Sequence, residues 1–195
     1  TTIAAHETAN GFVNTGLTMT SGSATNPADL RATSVSSGYT GASGGANVFM
    51  TTTNVQYGFA IEGINASAYT SLSLQFGYRK ESATVLPTLT VDYWNGTAWV
   101  NIPFTFTQAS TAAIAWYQSP AITIPSAGQI NGLKLRWLKS GTASTRIDDI
   151  TLTGILPVPT VNVTGTFAKF YGNTGLGSEV QSVSVSGNNL TNNIT

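Results

Sequence analysis

The sequence has few charged residues, and it has few of the residue types that form metal sites and catalytic sites. Of its 195 residues only 8% are charged, and eight Lys and Arg residues balance eight Asp and Glu residues. An average soluble domain carries about 25% charged residues. Because it has neither a net charge nor a basic cluster, the chain offers no electrostatic attraction for nucleic acid or an anionic lipid surface. We therefore predict no nucleic-acid partner.

Cysteine is absent, and the single histidine is His6. The lack of cysteine excludes disulfides, thiolate catalysis and cysteine-ligated zinc. No run of about 18 apolar residues occurs, so we predict no membrane insertion. Neither a Gly-x-Ser-x-Gly nucleophile motif nor a phosphate-binding glycine motif is present. The sequence therefore predicts a protein without catalytic activity; the remaining enzymatic alternative is a glycosidase that uses two of the dispersed carboxylates.

Threonine and serine, with 31 and 19 residues, fill the positions that charged residues occupy in other proteins. Apolar and polar residues alternate along residues 71–79, 87–94 and 129–138, which is typical of half-buried antiparallel strands. Short intervals with turn signals separate such segments. The sequence therefore predicts an all-β fold, an antiparallel two-sheet β-sandwich of the jelly-roll type. Further predicted strands cover residues 2–8, 12–20, 32–36, 48–52, 57–64, 100–106, 116–124 and 146–153.

A boundary is predicted near the two closely spaced prolines Pro157 and Pro159. Residues 1–154 would form the jelly-roll module and residues 155–159 a stiff, extended linker. Residues 160–195 contain two further predicted strands, 160–167 and 179–186, and are too few to close a sandwich of their own. We expect them to be the opening strands of a truncated Ig-like domain, covalently linked to further domains. The alternative is that they add strands to the first module.

Two adjacent carboxylates, Asp148 and Asp149, lie in the last predicted strand of the module. A carboxylate at the rim of a sandwich needs a partner, because an unpaired buried charge is costly. Calcium takes six to eight oxygen ligands, which nearby carbonyls and hydroxyls could complete. Glu7, in the first predicted strand, could supply another carboxylate, because the ends of a domain often meet. The alternatives are a catalytic role and a salt bridge to one of three arginines: Arg31, Arg79 or Arg146.

The dipeptide Asn95-Gly96 is a strong signal for a two-residue hairpin turn. Such a turn would pair Trp94 with Thr97 and Asp92 with Trp99. Five side chains would then share the polar face of the hairpin: Asp92, Trp94, Thr97, Trp99 and Asn101. Flat aromatic rings beside hydrogen-bonding groups suit a sugar ring, so Trp94, Trp99, Asp92 and Asn101 are predicted ligand-binding residues. The alternative is a longer loop, in which the register slips by one residue and one tryptophan turns inward.

A long loop rich in glycine and serine, residues 36–47, carries a single aromatic residue, Tyr39. Loops of this kind often line ligand sites. We therefore add Tyr39 to the predicted ligand-binding residues; the alternative is a plain mobile loop.

Four segments, in this order, carry a resemblance to a known kind of domain. They are residues 38–49 (GYTGASGGANVF), 61–65 (IEGIN), 72–80 (LSLQFGYRK) and 146–154 (RIDDITLTG). Together they resemble the jelly-roll accessory domains of secreted multidomain bacterial enzymes and adhesins. The Ile-Asp-Asp-Ile ending is similar to carbohydrate-binding-module and MAM-type sandwiches. Residues 160–195 resemble the start of the Ig-like repeats that often follow such domains.

The resemblance implies a non-catalytic module with a structural calcium ion, held by Glu7, Asp148 and Asp149. It does not fix the ligand. We predict a secreted, extracellular or cell-surface module that binds a polysaccharide or cell-surface glycan and tethers a larger protein to it. The alternative is an adhesion or spacer module with a protein partner.

Overall fold

A computed structural model describes residues 3, 5, 16–51, 55–169, 175 and 180–190. The chain divides into two compact units, Thr1–Ile155 and Leu156–Thr195. No helix in the described part of the chain is long and apolar enough to span a membrane.

Twelve strands of the first unit lie among the described residues. Their bounds are β1 Thr18–Thr20, β2 Asn26–Pro27, β3 Asp29–Arg31, β4 Asn47–Met50, β5 Tyr57–Asn65, β6 Thr70–Lys80, β7 Thr88–Trp94, β8 Trp99–Ile102, β9 Trp116–Gln118, β10 Ile122–Thr123, β11 Asn131–Ser140 and β12 Thr145–Ile155.

These strands form two six-stranded sheets. The first sheet has the order β1-β5-β11-β7-β8, and β2 adds to β5 in the only parallel pairing of the described strands. The second sheet has the order β10-β6-β12-β4-β3, and β9 adds to β6. Apart from β7–β8 and β3–β4, neighbours in each sheet are not consecutive in sequence, as in jelly rolls, where the chain crosses repeatedly between sheets. The prediction of an all-β, antiparallel two-sheet sandwich is confirmed.

The core is formed by the inward-facing residues of the alternating segments. Phe76 of β6 and Trp137 of β11 meet edge to face, with ring centroids 5.6 Å apart and an interplanar angle of 85°. Both side chains are fully buried, and burial of a large apolar side chain contributes about 1.5–3 kcal/mol. Other buried members of the same rows are Leu72, Leu74, Tyr78, Leu89, Val91, Tyr93, Leu133 and Leu135.

On β6 and on β11 the last inward-facing residue is a lysine, Lys80 and Lys139 respectively, and both are buried. A buried ammonium group requires acceptors. Lys139 Nζ donates to the carbonyl oxygens of Thr51 and Gly141, each at 2.5 Å. Lys80 Nζ donates to the carbonyl of Ala112 at 2.7 Å and also to that of Ser110. The two lysines therefore tie connecting loops to the sheets.

Several predicted strands differ from the structure. Ile3 and Ala5, the described residues of the predicted strand 2–8, are helical, and the predicted strand 100–106 ends at Ile102. Residues 32–36 belong to the loop after β3, because Ser34 has a left-handed φ of 54° and the Asn47 side chain binds the Thr33 carbonyl at 3.1 Å. The predicted strand 116–124 is divided into β9 and β10. It breaks at Pro120, which has no backbone N–H, and there the Ser119 hydroxyl accepts the N–H of Phe76 at 3.0 Å.

The second unit contains β13, Thr160–Thr164, and β14, Ser184–Asn188. They pair antiparallel with each other, from Thr160 opposite Asn188 to Thr164 opposite Ser184, as a separate two-stranded sheet. Valine side chains of this hairpin are exposed, among them Val161 and Val163. The Ig-like character of this unit stays a prediction.

Candidate functional site

The β7–β8 hairpin has a four-residue turn rather than the predicted two-residue turn. The Asn95 side-chain oxygen accepts the backbone N–H groups of Thr97 at 3.0 Å and Ala98 at 2.8 Å, and this side-chain turn closes the loop. Trp94 therefore pairs with Trp99, and Asp92 with Asn101. The predicted register was wrong by two residues. Because side chains alternate with a period of two, a shift of two leaves the same residues on the same face.

The outer face of the first sheet carries one continuous group of side chains that we call the platform. Its eight members are Thr20, Glu62, Asp92, Trp94, Trp99, Asn101, Lys134 and Arg136. They come from five adjacent strands, β1, β5, β11, β7 and β8, in that order across the sheet. Neighbouring strands lie about 4.8 Å apart, so the platform is roughly 19 Å long.

Trp94 and Trp99 lie together at the β8 edge of the platform, and both are partly exposed. Their ring centroids are 5.7 Å apart and their planes meet at 70°. The Arg136 guanidinium lies over the Trp99 ring, 4.3 Å from its centroid. Lys134 Nζ lies 5.7 Å from the centroid of Trp94. Both distances are within the range of cation–π contacts, so each ring is held by a neighbouring cation.

Asp92, two residues before Trp94 on β7, is only 6% exposed. One carboxylate oxygen binds Arg136 Nε at 2.7 Å, and the other accepts a hydrogen bond from Asn101 Nδ2 at 3.0 Å. Arg136 Nη1 also donates to the Gly22 carbonyl at 2.9 Å. Both oxygens of Asp92 are thus engaged within the protein. The structure gives Asp92 a positioning role in place of the predicted contact with a ligand, whereas Asn101 is exposed.

The β1 end of the platform carries a second ion pair. Lys134 Nζ lies 2.5 Å from Glu62 Oε2, and the Thr20 hydroxyl donates to Glu62 Oε1 at 2.7 Å. Burial acts to raise the pKa of Glu62, but the contacts with Lys134 and Thr20 outweigh it and lower that pKa. Glu62 is therefore ionised at neutral pH and neutralises Lys134.

Tyr39 does not join the two tryptophans. Its ring lies over the second sheet, where a Cβ on Gly77 of β6 would come within 2.6 Å of Tyr39 Cζ. The Tyr39 hydroxyl donates a hydrogen bond to Asp149 of β12. The prediction that Tyr39 stacks on a ligand together with Trp94 and Trp99 is therefore wrong, because the loop that carries it packs on the opposite sheet.

Asp148 and Asp149 lie at a β-bulge in β12. The register with β6 shifts between Asp148, opposite Gly77, and Thr151, opposite Gln75. Asp149 has a left-handed φ of 49°. Its carboxylate accepts the Tyr39 hydroxyl and, at 3.1 Å, the backbone N–H of Ser43. Burial acts to raise the pKa of Asp149, but hydrogen bonds from Ser43, Tyr39 and Ser36 outweigh it and lower that pKa.

The carboxylate of Asp148 has fewer hydrogen-bond partners than that of Asp149. Its Oδ1 accepts the backbone N–H of Asp149 at 3.0 Å, whereas Oδ2 is buried and has no hydrogen-bond partner. Burial raises the pKa of Asp148, and the hydrogen bonds from Ser36 and Asp149 offset this only in part. Asp148 lines a cavity of about 360 Å³ whose other walls are mostly apolar. Among the described residues, Asp148 is the only carboxylate with a buried oxygen that lacks a hydrogen-bond partner.

Glu7, the third predicted calcium ligand, lies outside the described residues. Among residues 16–51, 55–169 and 180–190, no three His, Cys, Asp or Glu side chains form a group that could hold a metal ion. The calcium site therefore stays a prediction based on Asp148, Asp149 and Glu7.

The predicted alternative of a salt bridge at Asp148 or Asp149 is wrong for the three arginines considered. Arg31 pairs with Asp29 at 3.1 Å, while Arg79 and Arg146 both pair with Glu81. Each described carboxylate other than Asp148 and Asp149 is thus in an ion pair with a lysine or arginine.

Comparisons with known proteins give similarity at the level of fold. No protein-family model matches the sequence, and the search of curated proteins found no match. The K1 cleaved adhesin domain of Lys-gingipain from Porphyromonas gingivalis W83 aligns with a TM-score of 0.47 and 8% identity, over 73% of this chain and 93% of that one. A second similar structure is a family 16 carbohydrate-binding module, with a TM-score of 0.45 and 16% identity, over 66% of this chain and 86% of the other.

A third similar structure is a family 61 carbohydrate-binding module in complex with β-1,4-galactotriose. It aligns with a TM-score of 0.41 and 12% identity, over 73% of this chain and 85% of the other. In fold, the chain is similar to jelly-roll binding modules and adhesin domains. All these TM-scores are below 0.5. The fold of this chain is therefore defined by its own strand pairings and not by the similar structures.

Proposed function

We propose that the first unit is a non-catalytic module that binds a polysaccharide or cell-surface glycan on the platform. The observation that carries this proposal is the pair of partly exposed tryptophans at the sheet edge. An indole ring presents a flat apolar surface to the C–H face of a pyranose, and aromatic side chains bury large areas on binding. Polar groups of the platform, such as the exposed Asn101 beside the rings and the exposed Thr20 at the β1 end, would accept or donate hydrogen bonds to the sugar hydroxyls.

The contacts around the tryptophans support binding because they hold the rings in place. Arg136 is fixed by Asp92 and by the Gly22 carbonyl, and its guanidinium covers one part of Trp99. Ordering a side chain on binding costs about 0.5–1.5 kcal/mol, so rings that are already ordered retain more of their contact energy.

We propose further that the module belongs to a secreted, extracellular or cell-surface protein, which it tethers to its ligand. Residues 155–159 would link it to the Ig-like domain to which residues 160–195 belong. The alternative function is adhesion to a protein partner. It is favoured by the exposed valines of β13, because exposed apolar side chains that lie together are typical of interaction surfaces.

We also propose a structural calcium ion at the β12 bulge, held by Asp148 and Asp149 together with Glu7. The unpartnered, buried Oδ2 of Asp148 fits this role, since a cation would satisfy it and favour the ionised form. The ion would stabilise the bulge and take no part in binding the glycan. A direct test is titration of calcium into metal-free protein by calorimetry, with Asp148→Asn as the variant that should not bind.

The platform proposal is tested by affinity electrophoresis and calorimetry against a panel of soluble polysaccharides. Trp94→Ala and Trp99→Ala should each weaken binding by about 1–3 kcal/mol, in the range found for aromatic residues at binding hot spots. Tyr69→Ala is the matched control, because Tyr69 is an exposed aromatic residue outside the platform. No binding to any glycan, or equal affinity in all three variants and the native protein, would contradict the proposal.

A further inference from the structure

We infer that the platform selects uncharged glycan chains and discriminates against anionic ones. This inference rests on the proposed glycan-binding function and specifies the class of ligand. It starts from the charges of the platform, which consist of two cations and two anions. Each of the four is engaged by one of opposite sign: Glu62 with Lys134, and Asp92 with Arg136.

The Arg136 side chain has little capacity left for an anionic ligand. Its Nε binds Asp92, its Nη1 donates to the Gly22 carbonyl, and the face of its guanidinium lies against the Trp99 ring. The side chains of Arg136 and Asp92 are only 16% and 9% exposed. A ligand carboxylate or sulfate at this point would have to displace Asp92 or lie beside it.

The Lys134 ammonium, two residues before Arg136 on β11, is engaged in a similar way. It lies 2.5 Å from Glu62 Oε2, beside the Trp94 ring. A ligand anion that approached Lys134 would also approach the Glu62 carboxylate, whose lowered pKa keeps it ionised. An anionic chain laid across the platform would therefore meet two fixed negative charges and no unpaired positive charge.

A neutral chain meets none of these obstacles. It needs no charge complementarity, and it leaves both ion pairs intact. Lys134 and Arg136 are then positioning residues that hold the tryptophan rings, and they do not bind ligand charge.

The experiment compares polymers that share a backbone and differ in charge. The pairs are hydroxyethylcellulose with carboxymethylcellulose, and dextran with dextran sulfate. Binding to the intact chain is measured from ~10 mM to ~1 M salt, over which the Debye length falls from about 30 Å to about 3 Å. In the pair that is bound, we expect the anionic polymer to bind at least about tenfold more weakly, because like charges face each other. Affinity for the neutral polymer should be independent of salt.

A gain-of-function variant tests the cause. Glu62→Gln removes one platform anion and frees Lys134, so the affinity for the anionic polymer should increase relative to that for the neutral polymer, and binding of the anionic polymer should become salt-sensitive. Asp29→Asn is the matched control. It makes the same charge change and frees Arg31 on β3 of the other sheet, so it should leave the preference unchanged.

The outcomes separate this inference from the proposed function. If the native protein binds the anionic polymer more tightly and salt weakens that binding, the inference is overturned while glycan binding stands. If Glu62→Gln and Asp29→Asn bind anionic polymers equally, ion pairing on the platform is not the cause of selectivity. If the native protein binds no polymer of either kind, the proposed function itself fails.

Discussion

Calcium should stabilise the first unit, and the substitution Asp148→Asn should abolish that effect. The structural reason is the Asp148 carboxylate, whose Oδ2 is buried without a hydrogen-bond partner. Leaving a buried acceptor unsatisfied costs about 1–3 kcal/mol. Burial also raises the pKa of Asp148, so in the absence of a cation the ionised form is disfavoured in the folded state.

The size of the effect follows from mass action. At a calcium concentration of about 100 times Kd, an ion that binds only the folded state raises the free energy of unfolding by about 2.7 kcal/mol. For a unit of this size, 1 kcal/mol shifts Tm by roughly 2–4 °C. The native protein should therefore melt about 5–11 °C higher with calcium than with EDTA. Without calcium, Asp148→Asn should melt no lower than the native protein, because it removes a buried charge.

Differential scanning calorimetry of both proteins, with calcium and with EDTA, measures these four values of Tm. Asp29→Asn serves as the control, because it removes a carboxylate of an exposed ion pair away from the bulge. If the native protein melts at the same temperature with calcium and with EDTA, the proposed ion is absent. If Asp148→Asn keeps the calcium-dependent shift, the ion lies elsewhere.

Two further predictions concern contacts on the two sheets. Tyr39→Phe removes the hydrogen bond to Asp149, whose pKa is held below its ordinary value of 3.8. The contribution of that contact, about 1 kcal/mol, should be complete above about pH 4 and be lost as the pH falls through the lower folded-state pKa. Urea unfolding of both proteins across this range checks it; equal stability at all pH values would refute the linkage. On the platform, Asp92→Asn and Arg136→Gln should each lower the free energy of unfolding by about 1–3 kcal/mol. A double-mutant cycle should show coupling of about 0.5–3 kcal/mol, whereas additive effects would mean that the ion pair contributes nothing.

The fold class could be predicted because its signal is local. Along β6 the apolar residues Leu72, Leu74, Phe76 and Tyr78 occupy every second position, and all of them are buried. This period of two requires only the pleat of a strand. The division of residues 116–124 into two strands could not be predicted in the same way, because it depends on the contact between Ser119 and Phe76 on another strand.

The platform could be predicted only in part, for a similar reason. One hairpin contains Trp94, Trp99, Asp92 and Asn101. An error of two residues in the predicted register therefore still placed them on one common face. Lys134, Arg136 and Glu62 come from strands that are distant in sequence, and only the sheet order β5-β11-β7 brings them beside the tryptophans. The alternation along β11 did place Lys134 and Arg136 on a polar face.

The position of Tyr39 could not be predicted, because a glycine-rich loop gives no local signal for the sheet on which it packs. Gly77, which makes room for the Tyr39 ring, is an ordinary strand residue in the sequence.

The most direct test of the account is the NMR spectrum of the indole N–H groups during titration with a neutral oligosaccharide. The chain has four tryptophans. Trp94 and Trp99 are on the platform. Trp116 lies on β9 of the second sheet and Trp137 lies in the core, and both are buried, 6% and 0% exposed. Trp94→Phe, Trp99→Phe and Trp116→Phe assign the signals. Glycan binding on the platform predicts that the signals of Trp94 and Trp99 shift together, with one affinity, while the other two stay in place. Shifts confined to Trp116 or Trp137, or unchanged signals of Trp94 and Trp99 at saturating ligand, would contradict it.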